Sequence, residues 1–178
     1  MVNIKEDDIK IRDVQDIRIP AYVVKEIKTE VEIEGGCVVN WNPELVEFTN
    51  FTPPDLNNQY CYQIFNGIQE ERDQSGKCIG YIQLCGKECK FRSSKRSSFD
   101  ARVLRNVWID CISERGARGK KIKRLVDIYI FPFKTEENTF ALHLPIYKGK
   151  DMDSNRFNEE VAKKGLKIPS EWTENAEK

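Results

Sequence analysis

The sequence lacks features that several protein classes require. No stretch approaches the roughly 18 uncharged apolar residues of a membrane-spanning helix. Five charged residues fall within residues 1–10, where a secretory signal would place apolar ones. No glycine-rich loop joins a strand pattern to a helix pattern, as in phosphate-binding loops. We therefore expect an intracellular protein, cytoplasmic or nuclear, that binds no membrane.

Histidine is almost absent, which restricts nucleophilic catalysis. The chain has one histidine, His143, and a serine or cysteine triad would need it as the base. His143 lies within an alternating apolar pattern, so we interpret it as an ordinary strand residue. We predict no catalytic residue.

Six cysteines form an even number, but a patterned chain of 178 residues does not need disulfide staples. Without a signal segment we expect reduced thiols. A zinc site would have to combine Cys78, Cys85 and Cys89 with a fourth ligand, but paired ligands two to four residues apart are usual in structural sites. Only Cys85 and Cys89 have such spacing, so we predict neither metal nor cofactor. The fourth ligand would come from Cys61, Cys111 or His143.

The length corresponds to one domain, and 39% hydrophobic residues against 33% charged ones are compatible with a buried core. We predict a single α+β domain over residues 1–168. Residues 1–20 can form an extended N-terminal arm within it, and residues 169–178 form a polar tail.

A net charge of zero conceals a basic block, which we define as residues 84–124. It holds thirteen Lys/Arg against four Asp/Glu, so its net charge is plus nine. Clustered cations of this density commonly neutralise phosphate. A solvated basic face is the competing interpretation. The residues predicted to contact phosphate are Arg92, Lys95, Arg96, Arg102, Arg105, Arg115, Arg118, Lys120, Lys121, Lys123 and Arg124.

The first half of the chain predicts antiparallel strands. A β-branched run from Tyr22 is followed by Gly35-Gly36, a two-residue hairpin signal. Further strands are predicted at residues 37–41, with a possible extension over 46–51, and at 60–65 and 78–84.

The period then changes from two to 3.6. Apolar residues from Phe99 to Ile112 predict an amphipathic helix that begins near Ser97 and ends at Gly116. Strands are predicted at 122–133 and 139–147, and Ser154 begins a short C-terminal helix.

This order predicts a strand-rich α+β fold. The strands form either an antiparallel sheet or a barrel of the oligonucleotide-binding (OB) type. The fold has one central amphipathic helix and a short C-terminal helix.

Alternation along residues 126–133 separates two faces. Val126, Ile128 and Ile130 lie on one face, and an aromatic row that includes Tyr129 and Phe131 lies on the other. Exposed aromatics beside cations form the surface that single-stranded nucleic acid uses. We expect Tyr129, Phe131 or Trp108 to stack on bases.

The leading hypothesis is therefore a non-enzymatic domain that binds single-stranded DNA or RNA. The first alternative is a protein-interaction subunit or inhibitor with bipolar charge. The second is a Mg²⁺-dependent nuclease in which Asp55 and Glu88 hold the metal and Lys90 assists. A Glu-x-Lys pattern also occurs at Glu26 and Lys28, so it arises readily in this sequence.

Overall fold

The computed structural model describes residues 14–28, 33–84, 101–113, 119–135 and 137–168. Most of these residues lie in strands. The strands are Tyr22–Lys28 (β1), Ile33–Trp41 (β2), Ile68–Arg72 (β3), Cys78–Gln83 (β4), Arg102–Ile112 (β5), Lys121–Lys134 (β6), Thr139–Asp153 (β7) and Leu166–Lys167 (β8). The helices are Pro43–Thr49 (α1), Pro53–Leu56 (α2), Cys61–Phe65 (α3) and Ser154–Lys164 (α4).

The strands form one eight-stranded sheet in the order β2-β1-β7-β6-β5-β3-β4-β8. Every neighbouring pair is antiparallel except β4 and β8. Since β2 and β8 lie at opposite edges, the sheet is open. The predicted strand-rich α+β class and antiparallel sheet are therefore confirmed, and the OB-like barrel is wrong.

The sheet has a helix face and an outer face. On the helix face, α1, α2 and α3 place Leu45, Leu56 and Phe65 against buried strand residues that include Val107 and Val126. The outer face carries two smaller clusters. One contains Trp108, Leu125 and Phe157 of α4, and the other contains Val14, Ala21, Val23 and Phe140.

Three elements follow the sequence prediction closely. Strands β6 and β7 are present, with β7 continuing to Asp153. Helix α4 begins at Ser154, with the Asp153 carboxylate accepting hydrogen bonds from the Asn155 and Arg156 amides at 2.9 and 3.3 Å. These segments keep one period over their whole length, which explains why the pattern identified them.

The predicted central helix is wrong, because its described part is strand β5. Asn106 has a φ of 57°, and the register with β6 shifts between Leu104 and Val107. This β-bulge inserts one extra residue into β5, so apolar pairs at 103–104, 107–108 and 111–112 recur four residues apart and imitate a helix period. Residues 97–100 and 114–116 lie outside the described ranges.

Other predicted boundaries also change. Gly35 and Gly36 lie inside β2, opposite Ile27 and Glu26, and do not form the hairpin turn. Residues 60–65 contain α3 in place of a strand, and α1 covers much of 46–51. Strand β3 was not predicted because its sequence, Ile-Gln-Glu-Glu-Arg, is almost entirely polar.

The segment before β1 is held against the domain. The Asn42 side chain accepts hydrogen bonds from the Ala21 and Leu45 amides, both at 3.0 Å. It donates to the carbonyl oxygens of Ile17 and Ile19 at 3.0 and 2.7 Å. Residues 14–21 therefore pack on the sheet and do not form part of an extended arm.

Helix α4, with eleven residues, is the longest in the described part of the chain. Within that part, no helix has the length and apolar character needed to cross a membrane.

Candidate nucleic-acid interface

The candidate site is the middle of the outer face, between the α4 cluster and the Val14 cluster. We call it the open face and define it as Val103, Tyr129, Phe131, Leu142, Leu144 and Ile146. Strand pairing places these residues side by side. Val103 and Leu144 both pair with Tyr129, Phe131 pairs with Leu142, and Ile146 pairs with Asp127.

The sequence alternation explains why these side chains point outward. Val126, Ile128 and Ile130 are buried in the core under the helices, so their neighbours on β6 face the other way. Phe131 is 42% exposed and Val103 is 36% exposed, whereas Tyr129 is half-buried. The predicted separation of the two β6 faces is thus confirmed, and the aromatic row lies on the more exposed face.

Asp127 occupies the centre of the charged border of the open face. The β5 bulge faces it, and the Asn106 amide donates to Asp127 Oδ1 at 2.9 Å. Arg105 donates to Oδ2 at 3.0 Å, and Lys148 Nζ lies 3.4 Å from Oδ1. The border of the open face therefore carries two cations, Arg105 and Lys148, and one carboxylate, Asp127.

Burial alone would raise the pKa of Asp127. The Asn106 amide, the Arg105 guanidinium and the Lys148 ammonium oppose this, and together they hold the pKa below its ordinary value. Asp127 is therefore ionised at neutral pH and anchors both cations.

Arg105 connects the charged border to the aromatic row. Its guanidinium carbon lies 6.0 Å from the centroid of the Tyr129 ring, and its side chain is 60% exposed. Asp127 accepts a hydrogen bond from one of its nitrogens, Nη1, and an arginine has five N–H donors. The exposed donors are suited to a phosphate oxygen.

The aromatic row ends in a covered region. The Phe133 and Phe140 rings stack with centroids 5.2 Å apart and an interplanar angle of 10°. Phe140 belongs to the buried cluster that contains Val14, and Leu142 and Leu144 pack against this cluster. The N-terminal segment therefore borders the open face at this end.

Two predicted phosphate ligands have structural roles inside the fold. Lys123 is 3% exposed, pairs with Asp110 at 2.7 Å and lies 5.1 Å from the Phe157 ring centroid. Arg124 lies between the Phe48 and Tyr147 rings at 5.2 and 5.7 Å, and donates to the Phe48 carbonyl oxygen. Both side chains are therefore engaged within the fold.

The remaining basic residues predicted to contact phosphate do not lie together on the open face. Arg102 is exposed at the start of β5, but it pairs with Ile130 of the core under the helices, so it lies on the face opposite the aromatic row. Lys120 and Lys121 are also exposed, but Lys121 and Tyr129 are eight residues apart on β6, about 26 Å along the strand. Five predicted ligands lie outside the described residues: Arg92, Lys95, Arg96, Arg115 and Arg118.

Trp108 is not available for base stacking, which corrects the prediction. It is fully buried, and its indole nitrogen donates to Glu70 Oε1 at 2.9 Å. The sequence did not indicate this because Trp108 was assigned to a helix. Its burial follows from the β5 strand and the α4 cover.

The open face and its border also contain residues that sequence analysis missed. Leu142, Leu144 and Ile146 of the open face, and Lys148 of its border, belong to β7, where alternation was visible. Their place beside Tyr129 and Phe131 depends on the register between β6 and β7. Alternation gives the face of a strand but not its partner.

The described residues do not form the metal site of the nuclease alternative or the zinc site. Asp55 Oδ2 accepts from the Thr52 amide and hydroxyl, each at 2.7 Å, in the cap of α2. Glu88, Lys90, Cys85 and Cys89 lie outside the described residues. Within the described ranges, no three His, Cys, Asp or Glu side chains are grouped as metal ligands would be.

No protein-family model and no curated protein matches the chain. Among solved structures it is similar to an RNA-binding light-oxygen-voltage receptor, with a TM-score of 0.39 and 16% identity. That likeness covers 76% of this chain and 31% of the receptor. A light-oxygen-voltage protein of Rhodobacter sphaeroides has a TM-score of 0.40 and 17% identity, covering 85% and 70%. Similarity at this level establishes neither family nor ligand.

Proposed function

We propose that the protein is a non-enzymatic domain that binds single-stranded nucleic acid on its open face. One observation carries this proposal. Phe131, 42% exposed, lies on the same face of β6 as Tyr129, whose ring faces the Arg105 guanidinium. An exposed aromatic beside a cation combines base stacking with phosphate contact.

The aromatic residues supply the affinity in this proposal. Each base stacked on an aromatic side chain contributes about 1–3 kcal/mol, and every base has a face that can stack. A sheet surface with aromatic side chains is also how one common class of RNA-binding domain holds unpaired bases. We therefore expect modest sequence preference and weaker binding to duplex, whose bases are already stacked.

The cations position the strand. Arg105 and Lys148 lie at the border of the open face, whereas Arg102 lies on the opposite face of the sheet. Because Asp127 neutralises part of this charge, we expect few phosphate contacts and a moderate salt dependence. The proposed set of phosphate-contacting cations is therefore smaller than the set predicted from the whole basic block.

A protein partner is the second candidate, and the aliphatic residues favour it. Val103, Leu142, Leu144 and Ile146 surround the two aromatics. Val103 is exposed and the other three are half-buried, and contiguous, partly exposed apolar residues with a polar border are typical of protein-binding sites. In that case the partner would present an apolar surface bordered by acidic groups that face Arg105 and Lys148.

Fluorescence anisotropy with labelled single-stranded DNA, single-stranded RNA and duplex tests the proposal across a salt series. We expect F131A to weaken single-strand binding about tenfold, the loss of one stacked base. R105A should reduce the salt slope by about one. Matched controls are I168A and R156A, since both residues are exposed and neither belongs to the open face.

The possible results separate the two candidates. Single-strand binding that F131A weakens and I168A leaves intact supports the proposal. No binding at low salt, or equal binding by F131A and wild type, overturns it. Absence of oligonucleotide binding then makes the protein partner the remaining candidate.

A further inference from the structure

Strand β8 forms one edge of the sheet, and it combines an exposed backbone with exposed apolar side chains. Within the described part of the chain, β8 pairs only with β4. Leu166 is 42% exposed, and Ile168, the residue that follows β8, is 59% exposed. A sheet edge of this kind is a template for another strand, because its outer N–H and C=O groups lack strand partners. The edge at β8 is therefore a candidate interaction surface.

The pairing with β4 determines which backbone groups point away from the sheet. The Gly165 carbonyl oxygen accepts a hydrogen bond from the Tyr81 amide at 3.0 Å, and Tyr81 pairs with Leu166. The backbone groups of successive strand residues point to opposite sides of the strand. Those of Gly165 and Lys167 therefore point towards β4, and those of Leu166 and Ile168 point outward from the edge.

This edge is complementary to itself under a two-fold axis. When two copies of β8 run antiparallel with the axis at Lys167, Leu166 of each copy lies opposite Ile168 of the other. Both residues direct their N–H and C=O groups outward, so each such pair exchanges both backbone hydrogen bonds. Leu166 and Ile168 are two residues apart, and their side chains lie on the same face of the strand. Apolar side chains therefore meet apolar side chains across the axis.

Charge does not oppose this pairing. Lys167 is the charged residue of β8, and its Nζ lies 2.8 Å from both carboxylate oxygens of Glu71. Like charges directly opposite each other destabilise paired strands, but here each lysine brings a carboxylate of its own chain. The net charge of the whole chain is zero, so two copies do not repel each other at long range.

We propose that the protein forms a two-fold symmetric dimer in which β8 pairs antiparallel with β8 of a second copy. The two eight-stranded sheets then become one continuous sheet, and each copy contributes the same patch. The paired segment is short, so the dimer is weak and its population depends on protein concentration. Strands β3 and β4 separate β8 from β5, the nearest strand of the open face. The dimer therefore does not rest on the proposed function.

Two full-length variants test both the dimer and its register. L166E and I168K each place a charge opposite an apolar residue of the other copy, and symmetry repeats the change twice in each dimer. The matched control is I19K, because Ile19 is 40% exposed and lies before β1. Sedimentation velocity over a series of protein concentrations measures the dissociation constant of the dimer. Circular dichroism of each variant verifies that the fold is retained.

We expect wild type and I19K to dimerise equally as concentration rises. L166E and I168K should each weaken dimerisation about a hundredfold, roughly tenfold for each of the two symmetric positions. L166E mixed with I168K should pair more tightly than L166E mixed with wild type, because the introduced carboxylate and ammonium then lie opposite each other.

Three results would overturn the proposal. The first is a monomeric wild type at every concentration, and the second is a dimer that L166E and I168K leave unchanged. The third is a mixture of L166E and I168K that pairs no better than L166E with wild type, since the proposed register places these two positions opposite each other. Recovery of the dimer in that mixture supports both the edge and the register.

Discussion

The α4 cluster and the open face lie on the same strands, β5, β6 and β7, but they differ in exposure. In the α4 cluster, Phe157 lies over Trp108 and Leu125, and their exposures are 0%, 0% and 4%. On the open face, Phe131 is 42% exposed. Strand alternation directs apolar side chains outward in both regions. Whether another element covers them decides between core and exposed surface.

The ion pairs differ in the same way. The side chains of Lys123 and Asp110 are 4% and 11% exposed, whereas those of Arg105 and Asp127 are 60% and 11% exposed. A buried pair needs both members because a lone charge there has lost its hydration. An exposed guanidinium keeps water and can exchange it for a ligand. Basic residues of one block therefore have structural roles beside α4 and are exposed to solvent at the border of the open face.

The largest loss of stability should come from truncating Phe157, the α4 side chain that covers Trp108 and Leu125. We expect F157A to lower the free energy of unfolding by about 4 kcal/mol, because a fully buried ring leaves a cavity. F131A should cost less than about 1 kcal/mol, since its ring is partly in water already. Urea denaturation of both variants measures the difference. Equal losses would contradict the assignment of core and surface.

Breaking the buried ion pair should have the next largest effect. We expect K123M to lower the free energy of unfolding by about 3 kcal/mol, because Asp110 loses its buried partner. R105M should cost less than about 1 kcal/mol, as is usual for exposed pairs.

The double variant K123M/D110L serves as the control for this pair. It replaces both charges with apolar groups, so it should recover much of the loss. If K123M is no more destabilising than R105M in urea denaturation, the two pairs do not differ as described.

A smaller effect should appear with pH at the end of the sheet that bears the open face. The His143 ring stacks on Tyr22 with centroids 4.8 Å apart, and burial lowers the pKa of His143 from 6.5 to about 4. The unfolded chain therefore binds more protons between pH 6.5 and 4, so the stability due to neutral His143 decreases as pH falls through this range.

We expect this contribution to be roughly 2–3 kcal/mol, since each pKa unit corresponds to about 1.4 kcal/mol. The H143F variant keeps a stacked ring without a titrating group. Its free energy of unfolding should decrease less than that of wild type between pH 6.5 and 4. Parallel pH profiles would show that His143 does not titrate as the structure implies.

Sequence patterns predicted part of the fold because some elements keep one period. Alternation on β6 identified both of its faces, including Tyr129 and Phe131 on the less buried one. The same reasoning failed on β5, where the bulge at Asn106 shifts the alternation by one residue and so exchanges the two faces of the strand. It also missed β3, where Glu70 is held by the Trp108 indole. Such a pairing between distant residues leaves no local pattern.

The candidate site was predictable in part for the same reason. Arg105 was selected for its charge, and Tyr129 and Phe131 were selected for their alternation. Charge alone could not separate Arg105 from Lys123, because the covering α4 helix lies about 30 residues further along the chain. The β7 residues of the open face required the strand register. The parts of the site that the sequence did not predict therefore depend on two tertiary features, the packing of α4 over the sheet and the register between β6 and β7.

Photocrosslinking of a single-stranded oligonucleotide, followed by peptide mass spectrometry, tests the central claim most directly. The account predicts crosslinks at Tyr129 or Phe131, and their loss when excess unlabelled single strand is added. Crosslinks confined to residues outside the open face, or none at low salt, would contradict it.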